Sequence, residues 1–391
     1  MAKNVSVVLV GIGGYGNLYV DALLDNMEKK GVTIAGAVDP YPDGCVRLSE
    51  LKERKVPLFD NLEAFYERSN ADLAVISSPI HFHNEQTCLA LSMGSNVLCE
   101  KPVAASLAET EKMLRSRDKS GKFLAIGYQW SYSSAILELK KDIISGRFGK
   151  AKCLKTIVLW PRNKSYYTRK WAGRIKDDEG RLVLDSVVSN ATAHFLHNMF
   201  FIMGESLDKS EYPSQMRAET YRANDIENFD TAAIQITVRN GALICFYASH
   251  AVSDNFGPLF EYEFDKGMIS YDGIGRNNVI KAKFSDGEEK DYGDPFGDPQ
   301  KKLWDCIAAV RGEYATLCPI EAGIPHVACV EALHNSVKIK GFPLSLVKFD
   351  SRNELTWVEG LGEHFLKCYK VGILPSDLGI NWANASRLAD I

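Results

Sequence analysis

The sequence predicts an α/β protein with two sheets: an N-terminal parallel sheet of β-α units, then an α/β domain with a large, open, mostly antiparallel sheet. Three observations predict it. Apolar runs at Val5–Val10, Val32–Val38, 72–77, 97–99 and 123–127 alternate with helical stretches, the pattern of a parallel sheet. From about Ala151 the runs lie closer together, at 152–160, 231–238, 243–250 and 259–265, with turns such as Asn240-Gly241 and Lys266-Gly267 between them. Beyond residue 300 helical spacing returns at Lys301–Val310, 322–337 and 362–369. The expected domains are therefore 1–128, 129–300, and 301–391 packing back across both.

The first β-α-β unit carries the most chemistry. Its strand ends in Gly11, Ile12, Gly13, Gly14, Tyr15 and Gly16, and a helix with Leu18, Leu23, Leu24 and Met27 on its apolar face follows. Strand, glycines and helix is the order a bound pyrophosphate requires. Gly11 permits the tight turn, Gly13 lets phosphates approach the backbone, and Gly16 lets the helix lie close to the strand. The N–H groups at the helix start then face the anion. The second strand ends in Asp39, 23 residues after Gly16, where a carboxylate can accept from a ribose diol. It would also repel a 2′-phosphate, and Pro40, Tyr41, Pro42 and Asp43 follow it, so NAD is expected over NADP unless Arg47 folds back.

The remaining elements of this sheet extend the site. Residues 51–59 read as a loop and strand, and 62–69 as a helix. The third buried strand ends in Ser77, Ser78 and Pro79, with His81 and His83 beyond, and a helix is expected over 84–93. Glu100, Lys101 and Pro102 come directly off the strand 97–99, and Ser106 opens a helix with Glu109 as its capping-box partner. Ligands of parallel sheets bind outside the carboxyl ends of the strands. The glycine turn, Asp39, Ser77, Pro79, His83, Glu100 and Lys101 are therefore expected to share one crevice.

Composition narrows the class. At 391 residues the chain exceeds one ordinary core, and 46% hydrophobic with 25% charged residues is the balance of a globular protein. A net charge of −4 without a basic block gives no electrostatic ground for nucleic acid or an anionic membrane as partner. No apolar run approaches the roughly 20 residues of a membrane span, and the start reads as a working strand rather than a signal peptide. Nine cysteines without a CxxC pair read as reduced thiols in a cytoplasmic protein.

Lys101, between an acid and a proline at the sheet's ligand edge, can hydrogen-bond both a nicotinamide ribose and a substrate hydroxyl, with Glu100 tuning it. Asn190, His194 and His197, spaced four and three apart, are expected on one helix face. A histidine there can take the proton that leaves an alcohol as its carbon gives up hydride. Asp185 either caps that helix or reaches the site. Tyr167, Arg169 and Trp171, in an aromatic and basic loop, suit a polyhydroxylated ring or a sugar acid, or else pack the loop. His81-x-His83 and His194-x2-His197 lack a cysteine or carboxylate to complete a zinc set, so no metal is expected.

With those residues in view, the sequence resembles the glucose-fructose oxidoreductase, inositol dehydrogenase and rhizopine catabolism (Gfo/Idh/MocA) oxidoreductases. The likeness rests on GIGGYG at Gly11 to Gly16, SSPIHFH at Ser77 to His83, VLCEKP at Val97 to Pro102, and IKGFPL at Ile339 to Leu344. It implies a nicotinamide-binding Rossmann domain, an open sheet used in a homodimer or homotetramer, and hydride transfer on sugars, cyclitols or related polyols. It also implies that Lys101 contacts cofactor and substrate and that His194 transfers the proton, with Asn190 where the family carries aspartate. Two rival readings follow: an NAD-retaining glycosidase working by transient oxidation and elimination, and a non-catalytic dinucleotide or sugar sensor.

Overall fold

The computed structural model describes residues 3–275 and 278–391. The chain divides into two units, Met1–Tyr132 with Asp298–Ile324, and Ser133–Gly297 with Pro325–Ile391.

The first unit holds a six-stranded sheet in the order Leu58–Phe59, Val32–Val38, Val5–Val10, Leu73–Ile76, Asn96–Cys99, Leu124–Ile126. Every neighbouring pair is parallel. The order reverses between Val5–Val10 and Leu73–Ile76, and such a switch point opens the crevice in which ligands of this sheet type bind. The central strands are apolar on both faces because helices cover both. Val5, Val7 and Leu9 pack against Tyr19, Val20, Leu23 and Leu24 of the helix Asn17–Lys30, and the same cluster takes Leu303, Cys306 and Ile307 from the helix Lys301–Val310. Ser106 caps Leu107–Ser120 by accepting the Glu109 N–H, as the sequence predicts. One element differs. Residues 51–59 were expected as loop and strand, but Leu48–Glu53 is a helix, because Leu51 is buried while Arg47, Glu50 and Arg54 pair along the outer side.

The second unit is built on a ten-stranded sheet. Its order is Glu289–Gly293, Ile280–Phe284, Gly267–Asp272, Phe256–Phe264, Ala151–Leu159, Leu243–Ser249, Thr231–Val238, Pro213–Arg222, Lys340–Gly341, with Ala389–Asp390 also paired to Pro213–Arg222. Pairing is antiparallel except between Ala151–Leu159 and Leu243–Ser249 and between Pro213–Arg222 and Lys340–Gly341. The expected Asn240-Gly241 hairpin is present: Gly241 takes a φ of +89°, and the Asn240 side chain accepts the Ala242 N–H.

Helices lie on both faces of this sheet. Ile157, Leu159, Cys245 and Tyr247 are covered by Leu361, Phe365, Cys368 and Tyr369 of the helix Leu361–Val371 and by Leu374 and Trp382 beyond it. Thr156 and Tyr262, hydrogen-bonded to each other at 3.1 Å, point to the opposite face, on which the helix Ala193–Ile202 packs. The apolar tail thus covers one face of this part of the sheet from within the same chain. Among the described residues no helix is long and apolar enough to cross a membrane.

Candidate active site

The first unit assembles its site where Val5–Val10 and Leu73–Ile76 end. Gly11 has a φ of +79°, and a Cβ there would stand 2.8 Å from Ser78 N; a Cβ on Gly16 would stand 2.0 Å from Gly11 O. Only glycine closes this turn. At Gly14, φ +52°, a Cβ would meet nothing within 4 Å, so the turn presents open backbone. No side chain caps the short 3-10 turn Gly14–Gly16 or the helix Asn17–Lys30, and neither has an acid in its first turn. An open turn leading into a helix start without a capping side chain fits a pyrophosphate.

The predicted partners of that turn are beside it. Asp39 Oδ2 accepts the N–H of Ile12 at 3.0 Å and of Gly13 at 3.4 Å, and Oδ1 accepts that of Tyr41 at 2.8 Å. Arg47 is engaged elsewhere, with Asp25 at 2.6 Å and Glu50 at 2.6 Å. Ser77 donates its hydroxyl to Gly11 O at 2.7 Å and its N–H to Val10 O at 2.8 Å. Pro79 starts the turn Ile80–Phe82, which leads to His83. His83 is 1% exposed, with Nδ1 2.8 Å from Pro102 O and Nε2 2.9 Å from Ser78 O. Burial lowers its pKa although the two carbonyls oppose this. Its ring is spent fastening the Ser78 loop to the segment after Lys101. Lys101 is partly exposed, and its backbone N–H reaches Glu100 Oε2 at 3.2 Å.

Sequence reasoning missed two residues here. Glu100 is buried, and its other oxygen accepts from Tyr19 Oη and Lys302 Nζ. Burial pushes the Tyr19 phenol well up, and the Glu100 charge adds to it. Burial works against the Lys302 charge, but Glu100 and Tyr15 outweigh it and the ammonium sits above the usual lysine range. The only signal was a lysine one position before Leu303 and four before Cys306, at the edge of an apolar stripe.

In the second unit the predicted helix over the histidines is interrupted. Ser186 caps a five-residue π-helical turn, Val187–Ala191, in a mutual pair with Ser189, and the α-helix Ala193–Ile202 begins only after Thr192. Asn190 is therefore on the π turn and His194 on the α-helix; π turns recur at functional sites. In Ala193–Ile202, whose residues are all described, every residue except His194 is buried. His197 is fully buried and stacks on Phe201 at 5.6 Å, and burial, with His326 and Lys140 near, holds its pKa well below the usual range. It belongs to the core.

Asp185 does not cap. Its Oδ2 accepts the Gly173 N–H at 2.6 Å and its Oδ1 accepts from Asn190 Nδ2 at 2.8 Å. The residue before it, Leu184, takes a φ of +49°, a strained state for leucine. This carboxylate ties the aromatic loop to the π turn and stands one hydrogen bond from Asn190. In that loop the Arg169 guanidinium lies between the rings of Tyr166, at 4.1 Å, and Trp171, at 4.5 Å. Tyr167, Arg169, Gly173, Arg174 and Arg222 line a cavity of about 550 Å³. Among the described residues no group of three or more His, Cys, Asp or Glu side chains is placed to hold a metal.

These observations meet those from other proteins. The model of the oxidoreductase family with an NAD-binding Rossmann fold (GFO_IDH_MocA) matches residues 5–128. A 1-carboxy-3-chloro-3,4-dihydroxycyclohexa-1,5-diene dehydrogenase of Comamonas testosteroni is 25% identical over 206 residues, 52% of this chain and 49% of that protein. A 2,7-anhydro-N-acetylneuraminate hydratase of Mediterraneibacter gnavus is 27% identical over 150 residues, 38% of each chain. The chain thus spans half or less of the length of both relatives. The crystal structure of the WlbA dehydrogenase from Bordetella pertussis, in complex with NADH and UDP-GlcNAcA, shares the fold at a TM-score of 0.72 and 20% identity, over 85% of this chain and 96% of that one. Residues 5–128 thus match the NAD-binding Rossmann domain of the Gfo/Idh/MocA oxidoreductase family.

Proposed function

We propose that the chain is an NAD-dependent oxidoreductase moving a hydride between nicotinamide and a secondary hydroxyl of a sugar, cyclitol or sugar derivative. The observation that carries this is the uncapped glycine turn with the Asp39 carboxylate lying on its N–H groups. The dinucleotide supplies the hydride carrier; the chain supplies the rest. The turn and helix start bind the pyrophosphate, and Asp39 accepts from the ribose. NAD is favoured over NADP because Arg47 is held by Asp25 and Glu50 rather than left to pair a 2′-phosphate. Lys101 contacts cofactor and substrate and stabilises charge on the reacting oxygen. His194 takes the hydroxyl proton, and Asn190, held by Asp185, orients the substrate.

The cavity beside Tyr167 and Arg169 suits a hydroxylated ring bearing an acid group: its arginines outnumber Asp225 and Glu227. The dehydrogenase relative is named for a dihydroxylated ring and the structural neighbour holds a sugar acid linked to a nucleotide. We place the protein in the cytoplasm on its nine free thiols.

A second reading, redox-neutral chemistry with NAD retained, is favoured by the likeness to a hydratase of an anhydro sugar. Calorimetry with NAD, followed by incubation with sugars, cyclitols, sugar acids and glycosides, separates the readings. Net NADH formation supports the dehydrogenase, and product without net NADH supports the second reading. Binding without either indicates a sensor, and no binding refutes all three.

A further inference from the structure

In the first unit Lys302 lies near the start of the helix Lys301–Val310 with 2% of its surface exposed. A lysine is buried so completely only with partners. Its ammonium donates to Tyr15 Oη at 2.9 Å, to Gly127 O at 3.2 Å, and to Glu100 Oε1. It also stands 4.7 Å from the centre of the Tyr15 ring and 5.4 Å from that of Tyr19. Gly127 completes the arrangement: a Cβ there would be 2.7 Å from Glu100 Oε1, so glycine lets the carboxylate lie against this strand end. The glycine turn, the segment of Lys101 and the end of Leu124–Ile126 thus meet at one buried charge pair.

What the pair does follows from what it holds. Four of the six residues of the turn are glycine and Ile12 is buried in the core, so Tyr15 is the side chain left to anchor its outer part. Lys302 fixes the Tyr15 hydroxyl, Glu100 fixes Lys302, and the other oxygen of Glu100 holds the Lys101 backbone. We infer that Lys302 is a positioning residue of the dinucleotide site, locking the glycine turn to the Lys101 backbone through Tyr15 and Glu100. The inference rests on the dinucleotide reading of the turn. Bulk stability alone does not call for such a pair, since a buried ion pair is often no more stable than apolar residues of the same volume.

The test is NADH fluorescence titration and thermal unfolding of the wild type, Tyr15→Phe, Lys302→Met and Glu100→Gln/Lys302→Met. Both Lys302 variants are expected to bind NADH about tenfold more weakly or worse, and Tyr15→Phe about threefold more weakly. Lys302→Met leaves the buried Glu100 carboxylate without its cation, so that variant is expected to unfold at a lower temperature than the wild type. The double variant has no such uncompensated charge, so it recovers stability relative to Lys302→Met and keeps the weak binding. Wild-type affinity in both Tyr15→Phe and the double variant overturns the inference, whether or not Lys302→Met folds. A wild type that binds neither NADH nor NADPH refutes the dinucleotide reading itself, and the inference falls with it.

Discussion

At the residue scale, Gly16 and Asp39 make opposite demands on an experiment. A Cβ 2.0 Å from Gly11 O must push the turn open, so Gly16→Ala should lose both NADH binding and about 1–3 kcal/mol of stability, read by calorimetry and by urea unfolding. Asp39→Ala leaves the turn standing and removes the charge that disfavours a 2′-phosphate. Its ratio of NAD to NADP affinity should fall toward unity, and an unchanged ratio would show that Asp39 does not discriminate. His194→Ala should lower turnover by about 10²- to 10⁴-fold with NAD affinity retained. Lys101 stands out in the sequence because a lysine between an acid and a proline is a local pattern, and His194 stands out through the family resemblance. His83 and His197 carried the same residue type without the same exposure. The first fastens two loops through both ring nitrogens, and the second stacks in the core. Lys302 was not legible, because its partner Glu100 is 202 positions away.

At the scale of elements, the helix Ser134–Ile144 is joined to the strand Glu289–Gly293 by Asp142, which accepts from Lys290 Nζ at 2.9 Å and from Tyr292 Oη at 2.6 Å. Burial raises the Asp142 pKa, but those bonds and the Arg147 charge outweigh it and the carboxyl is held below its usual value. A depressed folded pKa contributes stability that is present above the unfolded value of about 4 and is lost as pH falls through the folded one. Asp142→Asn should therefore unfold at a lower temperature than the wild type at neutral pH, with the two converging in acid; a constant gap across pH would exclude the carboxylate as the cause. Continuous apolar runs such as Val5–Val10 were legible as strands because nothing else buries both faces. Pro213–Arg222 was not, since its outward residues are polar and charged and its partner strand supplies the pairing. The π turn was hidden as well: Val187–Ala191 has ordinary helical composition, and only the Ser186–Ser189 pair and Asp185 set its boundary.

At the scale of the molecule, two sheets of different kinds divide the chain, as the change of pattern near Ala151 announced. The return of Asp298–Ile324 to the first unit was less visible, because a helix that buries Leu303, Cys306 and Ile307 reads alike whichever sheet it covers. Removing residues 361–391 would uncover Ile157, Leu159, Cys245 and Tyr247. The shortened chain should form larger aggregates or precipitate under conditions in which the full chain stays dispersed, as light scattering would show; a well-behaved truncated protein would mean that the tail is not a cover. The central claim is that the dinucleotide at the glycine turn takes part in hydride transfer while His194 moves the proton. Its most direct test follows NADH absorbance and NAD binding heat together, for the wild type and His194→Ala, over a panel of sugars, cyclitols and sugar acids. The account predicts NADH from the wild type on at least one of them, loss of that signal in His194→Ala, and equal binding heat in both. Absence of heat from the wild type, or equal turnover by His194→Ala, would contradict it.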